Sequence, residues 1–398
     1  MSASHFYASG SSLSGRTILQ IVPRLDGGGA ERTTLEIAQA LAESGARALV
    51  ASQGGAMVGE LQALGGEFTA FPAASKNPFT MARNVRKLAA LIRRNGVDLV
   101  HARSRAPAWT ALAAARRAGV PFVTTYHGAY SDNAPMKRQY NSVMAMGDAV
   151  IANSHFTAQL VAERHPDAQG RIVAIPRGVD PRVFAPEATA PERVRFLREQ
   201  WGVAPDQRIV LLPARMTRRK GHLVLVAAAK MLREAGRGDL VFVLIGAGAR
   251  GGYEREIDRA AAAAGLAQSV KRAGACDDMP AAYAAAACVA APSIEPETFG
   301  RVAVEAQAMG RPTVVSDLGA SAETVIAPPD CAASQRTGWR VEPNDAAALA
   351  RAIAEALDLG AAAQDGLALR ARNHVRAHFS LERMQQATLD LYGHLLGL

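Results

Sequence analysis

Cysteine is scarce, and Cys276, Cys288 and Cys331 stand far apart. They can form neither a disulfide framework nor a thiolate metal cluster, and they suit a reducing compartment. Long apolar runs are missing as well. No stretch reaches the ~18–20 residues of a membrane-spanning helix, so any membrane contact is expected to be peripheral. The opening residues, MSASHFYASGSSLSG, lack both the basic start and the apolar centre of a secretory signal. Residues 1–15 therefore read as a flexible tail, and the expected location is cytoplasmic. Acidic residues fall short of basic ones, 36 Asp+Glu against 45 Lys+Arg, for a net charge of +9. The shortfall is concentrated: residues 1–190 hold 20 basic and 13 acidic side chains, the remainder 25 and 23. A basic first half suits an anionic partner, whether phospholipid surface, phosphorylated glycolipid or nucleic acid. Free use of arginine by a soluble protein gives the same imbalance.

What the chain has in quantity is alternation. At 398 residues and 49% apolar it can build two or three domains. Thr17–Val22, Ala48–Ala51, Phe68–Phe71, Asp98–His101, Phe122–Tyr126, Ala149–Ala152 and Ile172–Ile175 read as strands. Helical patterns lie between them, including the strongly amphipathic Met81–Arg94. Val183–Glu192, rich in proline and alanine, breaks the rhythm and reads as a linker. Alternation restarts at Ile209–Pro213 and runs through Leu240–Ile245, Val270–Ala273 and Thr313–Asp317 before helical segments end the chain. The pattern predicts an α/β protein with two parallel sheets covered by helices, over residues 16–185 and 186–378. Two such domains facing each other would form a ligand cleft.

The segment from Pro292 to Glu323 is the most informative. It places Glu297 and Glu305 either side of Phe299-Gly300, ahead of a helix-like run. Gly300 lets a loop approach a ligand closely, and the start of the helix offers free N–H groups to a phosphate. The carboxylates are acceptors for sugar hydroxyls. If both were helical they would lie roughly 12 Å apart, which suits two parts of one extended ligand rather than an acid pair sharing a proton. The plain alternative is a buried helix packed through Val302, Val304, Ala306 and Met309. The flanks favour a site: strand-like Cys288–Ala291 comes before, and Gly310-Arg311-Pro312 and another strand follow. Doubly wound proteins bind ligands in loops at such strand ends.

Other loops add to this. Gly27-Gly28-Gly29 separates the first strand from the first helix, and no Gly-Lys-Ser/Thr follows, so it is not a Walker loop. In Pro213–His222, Arg215 and Lys220 could reach a diphosphate, one as a fork and one as a point charge. Gly246–Gly251 fits G-x-G-x-x-G, but Lys271-Arg272 stand where a ribose-binding acid is wanted. An NADP-dependent oxidoreductase therefore stays open, although the motif begins the second crossover of its sheet rather than the first. His101, Arg103, Arg105 and His127 sit at or just past strand ends in the basic half, with Gly128 after His127.

Together these residues resemble the retaining glycosyltransferases of family four, with the GT-B fold, from about Thr17 onward. The resemblance rests on GGGAER at 27–32, YHG at 126–128, ANS at 152–154, IPRGVD at 175–180, ARMTRRKG at 214–221, IGAG at 245–248 and EPETFGRVAVEAQAMGRP at 295–312. It implies two Rossmann-like parallel-sheet domains facing across a cleft, with residues 379–398 crossing back to the first. It implies transfer of a mannose- or glucose-type hexose, with retention, from a nucleoside-diphosphate sugar to a glycolipid or oligosaccharide, with no metal, cofactor or nucleic acid. By the same resemblance Glu297 would bind donor-sugar hydroxyls and Glu305 the ribose, while Arg215 and Lys220 would hold the diphosphate. Gly28 and Gly29 would approach the donor, His127 would lie beside the reacting sugar, and the backbone from Gly274 to Met279 would meet the base. Gly246, Gly248, Phe299 and Gly300 complete the donor side; Arg103, Arg105 and Arg177 fall on the acceptor side. A nucleotide-sugar epimerase or an inactive scaffold of the same fold remain alternatives.

The chain departs from the family pattern at Arg177, where Asn is common, at Thr298, often Gly or Ala, and at Ala320, which replaces a second glycine. The stretch from His101 to Tyr130 further resembles transferases of bacterial lipopolysaccharide core and surface polysaccharide. The helix at Met81–Arg94 combines Leu88, Leu91 and Ile92 with Arg83, Arg86, Lys87, Arg93 and Arg94. A basic amphipathic helix suits an anionic membrane surface, so peripheral contact at the inner face of the cytoplasmic membrane is expected. The plain alternative is a sheet-covering helix with a solvated basic rim.

Overall fold

The computed structural model describes residues 13–75, 77–130, 134–248 and 252–398. The tail expected over residues 1–15 falls almost wholly outside the described residues, and so do residues 249–251 of the glycine motif. The chain divides into two units, one running to Gly178 and including Leu381–Leu398, the other Val179–Ser380.

The first unit runs β1 (Thr17–Ile21), α1 (Gly29–Glu43), β2 (Arg47–Ser52), α2 (Val58–Ala63), β3 (Glu67–Ala70), α3 (Pro78–Arg94) and β4 (Leu99–Ala102). It continues with α4 (Arg105–Ala118), β5 (Phe122–Tyr126), α5 (Pro135–Ser142), β6 (Ala149–Ala152), α6 (His155–Arg164) and β7 (Ile172–Ala174). The sheet is parallel throughout, in the order β3-β2-β1-β4-β5-β6-β7. β1 and β5 are buried along their whole length, as strands covered on both faces are. The order reverses between β1 and β4, the kind of switch point at whose strand ends open α/β sheets bind ligands.

The second unit runs α7 (Pro191–Gln200), β8 (Arg208–Pro213), α8 (His222–Glu234), β9 (Leu240–Ile245), α9 (Tyr253–Ala263), β10 (Val270–Gly274) and α10 (Met279–Ala285). Then come β11 (Ala286–Ala291), α11 (Arg301–Ala308), β12 (Thr313–Ser316), α12 (Ser321–Thr324), β13 (Trp339–Val341), α13 (Ala346–Leu357) and α14 (Ala361–His378). Its parallel sheet has the order β10-β9-β8-β11-β12-β13 and reverses between β8 and β11. Side chains alternate across it with the strand period of two. Val210, Leu212, Phe242 and Leu244 enter one core, and Ile209, Leu211, Val241 and Val243 enter the other.

Three elements differ from the sequence reading. Val183–Glu192 is not a bare linker: Pro186–Ala188 form a 3-10 turn, and Pro191 opens α7 at the first helical position, where a missing N–H costs nothing. Trp339–Val341 adds an edge strand. On α3, Leu88, Leu91 and Ile92 are buried in the protein's own core while Arg83, Arg86, Lys87, Arg93 and Arg94 are exposed. The apolar stripe therefore serves the fold. Among the described residues, no helix is long and apolar enough to cross a membrane.

The last helix, α15 (Leu381–Leu395), belongs to the first unit. Leu381, Met384, Leu391 and Tyr392 share a core with Leu35, Ile37 and Leu41 of α1. The fully buried Tyr392 hydroxyl lies 2.5 Å from His101 Nδ1, and the other ring nitrogen lies 2.6 Å from Thr125 Oγ1. Burial, followed by the charges of Arg103 and His127, holds the His101 imidazole well below its ordinary value, so the ring is neutral and bridges two hydroxyls.

Tyr392→Phe leaves a buried ring nitrogen without its partner and should cost about 1–3 kcal/mol, read as a lower urea midpoint at unchanged slope. An unchanged midpoint would show that the hydroxyl does not fasten α15. His222 is also fully buried, and burial pushes it down to about 4. In the unfolded chain both rings take up protons near pH ~6.5, whereas in the folded one they do not. The stability they allow is thus present above about pH 6.5 and drains as pH falls through it, by up to roughly 1.4 kcal/mol per unit for each ring. Urea midpoints should fall between about pH 6.5 and 5, and midpoints level across that range would contradict the buried neutral state.

Candidate functional site

In the second unit, glycine lets the loops at the strand ends pass within backbone contact. A Cβ on Gly246 would collide with the Ala214 carbonyl, one on Gly221 with the Pro292 carbonyl, and one on Gly319 with the Glu297 backbone. The Ala214 N–H donates to Ile245 (2.7 Å), Met216 to Ala247 (3.1 Å) and Gly246 to Gly274 (2.6 Å). Ile294 donates to Arg219 (2.9 Å) and Ala320 to Glu297 (2.8 Å). The loops after β8, β9, β10, β11 and β12 are thus tied together on both sides of the β8/β11 switch. Gly246 serves this close approach, and Gly248 lies under the Glu254 carboxylate.

Glu297 is the centre of this cluster. It sits in the loop ahead of α11, which starts only at Arg301 with Gly300 (φ +84°) as its cap, so the helical spacing of the two acids does not apply. Lys220 Nζ donates to Glu297 Oε1 at 2.6 Å, and Ser293 Oγ donates to the same oxygen at 2.7 Å. Arg219 lies 3.7 Å away. Burial works to raise the carboxyl, but the charge and hydrogen bond of Lys220, with Ser293 and Arg219, win and hold it below its ordinary value. It is an ionised acceptor. Lys220 has three N–H donors, so the bond to Glu297 leaves donors for a phosphate. Arg215 is exposed on the same loop.

Glu305 lies on α11 and is buried. The Tyr283 hydroxyl donates to its Oε2 at 2.8 Å, and Arg301 Nε donates to its Oε1 at 3.0 Å. Phe299 is buried edge-on to Phe379, with ring centres 5.6 Å apart. Gly274 (φ +71°) has open space where a side chain would be. Met279 begins α10, whose N-terminus is capped by Asp278 accepting from Ala281 N at 3.1 Å. Arg193 of α7 grips that carboxylate with a two-toothed fork, at 2.7 and 2.6 Å. Tyr283, Ser293 and Arg193 were not among the expected residues. Only Arg301, one helical turn before Glu305, had a spacing that could have revealed it.

In the first unit, α1 begins with Gly28 (φ +144°) as its cap, and a Cβ on Gly29 would collide with the Arg177 guanidinium. Arg177 itself is 8% exposed and reaches His127, Nη2 to Nδ1, at 2.7 Å. Burial, then the charges of Arg177 and Arg103, keep the His127 imidazole well below its ordinary value. Arg105 lies 4.2 Å over the Tyr130 ring and donates to Asn141 at 2.7 Å. Arg103 is buried, with its fork closed on Gln20 Oε1 at 2.9 and 2.5 Å. It braces β4 against β1. The structure brings Gly29, Arg177 and His127 together, with Arg103 turned toward the sheet and Arg105 toward Tyr130.

The sequence of each unit matches a known group: residues 27–183 match Glycosyltransferase Family 4, and residues 194–374 match Glycosyl transferases group 1. Over 319 residues the chain is 31% identical to a D-inositol 3-phosphate glycosyltransferase of Salinispora arenicola, spanning 74% of this chain and 68% of that protein. A crystal structure of a glycosyltransferase from Rickettsia africae ESF-5 has 35% identity and a TM-score of 0.86, covering 96% of this chain and 98% of that one. Anabaena Alr3699/HepE in complex with UDP-glucose shares the fold at a TM-score of 0.80 and 24% identity, over 95% and 99% of the two chains. With likeness of this extent running through both parallel sheets and their strand-end loops, the chain belongs to the family-4 glycosyltransferases and has the GT-B fold.

Proposed function

We propose that this glycosyltransferase moves a mannose- or glucose-type hexose, with retention and without a metal, from a nucleoside-diphosphate sugar to a glycolipid or oligosaccharide. The observation that carries the reading is Glu297, an ionised carboxylate fixed by Lys220 at 2.6 Å and Ser293 at 2.7 Å in front of a glycine-capped helix. A carboxylate beside a lysine suits a ligand with hydroxyls at one end and phosphate at the other. Glu297 accepts from sugar hydroxyls, Lys220 and Arg215 neutralise the leaving diphosphate, and the free N–H groups of α11 face its oxygens. Glu305 accepts from the ribose, and the Gly274–Met279 loop meets the base. Gly246, Gly248, Phe299 and Gly300 shape the pocket walls. Of the first unit's residues, Gly28, Gly29 and His127 are assigned to the donor and Arg103, Arg105 and Arg177 to the acceptor.

The UDP-glucose bound to the Anabaena protein supports a nucleotide-sugar donor. A relative named for D-inositol 3-phosphate supports a phosphate-bearing acceptor, as does the surplus of basic residues in the first half. Lipopolysaccharide core or surface polysaccharide synthesis fits such an acceptor. Family membership removes the ground for an oxidoreductase reading of Gly246–Gly251.

Lys220→Ala should lower kcat by about 10²–10³-fold, the loss typical of one donor to a developing negative charge, with the fold retained. Glu305→Ala should chiefly raise the donor KM, because a ribose contact is nearly uniform through the reaction, whereas Glu297→Ala should depress kcat more. Wild-type kinetics in both Glu variants would make the segment structural. Activity that is abolished by chelator and returns only with a divalent cation would overturn the metal-free reading.

The exposed bases of α3, with Phe79 and Met136 at 87% and 83% exposure, favour peripheral attachment to the inner face of an anionic membrane by charge, which salt screens. Co-sedimentation should show binding to anionic vesicles that weakens with salt, and none to neutral vesicles. Equal binding to both, or none at low salt, would remove the membrane contact and leave the donor site untouched.

A further inference from the structure

Glu305 is held from two sides. Its side chain is 11% exposed. The Tyr283 hydroxyl donates to Oε2 at 2.8 Å, and Arg301 Nε donates to Oε1 at 3.0 Å, so each oxygen takes one side-chain donor. A carboxylate offers about four lone-pair sites over its two oxygens. One or more on each oxygen is left over, and two neighbouring hydroxyls of a sugar match that pair. A charge kept so far from water costs stability that an apolar side chain in its place would not.

Tyr283 is itself fixed. It stands on α10, is fully buried, and shares a core with Val241, Val243, Val289 and Ala306. Its ring lies 6.1 Å from that of Phe184. Burial, then the charge of Glu305 and the hydrogen bond to it, push the phenol well above its ordinary value, so it keeps its proton and donates. α10 is fastened at its other end, where Asp278 caps it and Arg193 grips the cap. The phenol therefore has one place to be, and it fixes Oε2. Arg301 directly follows the Gly300 cap of α11, one turn before Glu305, and takes Oε1 with a side chain that is 26% exposed.

We propose that Tyr283 and Arg301 are positioning residues that fix the Glu305 carboxylate to accept the paired hydroxyls of a ribose, so that this site selects nucleotides carrying the diol over those without it. The proposal rests on the reading in which Glu305 meets the donor's ribose, and it names what holds the carboxylate there. All three side chains lie in the second unit. Tyr283, wholly enclosed, acts on the ligand only through Glu305.

The readout is a ratio. Calorimetry would give the affinities of UDP, GDP and ADP and of their 2′,3′-dideoxy forms, and the ratio of the two forms would be taken for the preferred base. A general loss of packing weakens both forms alike and leaves that ratio where it was. The proteins compared are the wild type, Tyr283→Phe, Arg301→Met, Glu305→Ala, and Tyr283→Phe combined with Glu305→Ala, each checked for folding by circular dichroism. The wild type should favour the ribose form by about 10–100-fold, the range for hydrogen bonds to a charged acceptor, and Glu305→Ala should bring the ratio close to one. Tyr283→Phe and Arg301→Met should each lower it by about 3–10-fold. In Tyr283→Phe the donor KM should rise while kcat stays within about twofold, as for a contact uniform through the reaction. On the Glu305→Ala background Tyr283→Phe should not move the ratio further, because a residue that acts only through another adds nothing once that other is gone. Arg301 is partly exposed, so Arg301→Met carries the test if Tyr283→Phe does not fold. An unchanged or larger ratio in either folded single variant would overturn the proposal for that residue and leave the ribose reading intact. A wild-type ratio near one, or a wild-type ratio kept by Glu305→Ala, would overturn the ribose reading, and the proposal with it.

Discussion

Backbone proximity at the strand ends is the constraint on which the donor-side cluster depends. At Gly221, Gly246 and Gly319 the neighbouring chain passes so close that any Cβ would strike a carbonyl or main-chain atom. These contacts fix where the loops after β8, β9, β11 and β12 lie relative to one another. Lys220, adjacent to Gly221, can then meet Glu297, which is clamped from the other side by Gly319 and Ala320. The ion pair is a consequence of the backbone arrangement, because a flexible lysine would otherwise sacrifice considerable side-chain entropy to hold one geometry. Topology supplies the rest. The strand order reverses between β8 and β11, so the two halves of the pair come from loops on either side of that reversal.

Electrostatics divides the two units. Around Glu297 the cations are matched by a carboxylate, and the site is poised between charges of both signs. Around His127 the nearby charges on the ring are arginines, and the ring responds by staying neutral. A neutral imidazole in a cationic neighbourhood is an acceptor for guanidinium N–H groups, the use made of it by Arg177. Arg103, equally buried, is satisfied by the amide oxygen of Gln20, so the same chemistry of arginine on a neutral acceptor occurs twice within one sheet edge.

Much of this was legible in the sequence, because it is written locally. Alternation of apolar segments gave the strands and most helices. Glycines between a strand and a helix marked the strand-end loops, and Glu297, Lys220 and Gly300 lie in the loops where the sequence put them. What escaped was written between distant segments. Tyr283 reaches Glu305 from a different helix, Arg193 reaches Asp278 from 85 residues away, and Arg177 reaches His127 across 50; no local period links such pairs. α7 was hidden by its composition, since proline at a helix start looks the same in sequence as proline in a linker. The stripe on α3 shows another limit: Leu88, Leu91 and Ile92 at helical spacing state that something apolar covers them, and the covering surface is α4 and the sheet.

The return of α15 to the first unit also sets an order of events during synthesis. Residues up to Gly178 leave the ribosome long before Leu381 is made, and Val179–Ser380 is a continuous segment between them. At about 5–20 residues per second the delay is on the order of 10–40 s. Throughout it Leu35, Ile37 and Leu41 of α1 lack the neighbours that Leu381, Met384, Leu391 and Tyr392 later provide, and His101 lacks its phenol. The second unit has every residue it needs before the first does. In the nascent chain the later-made unit is therefore able to mature first, while the earlier-made one waits for α15.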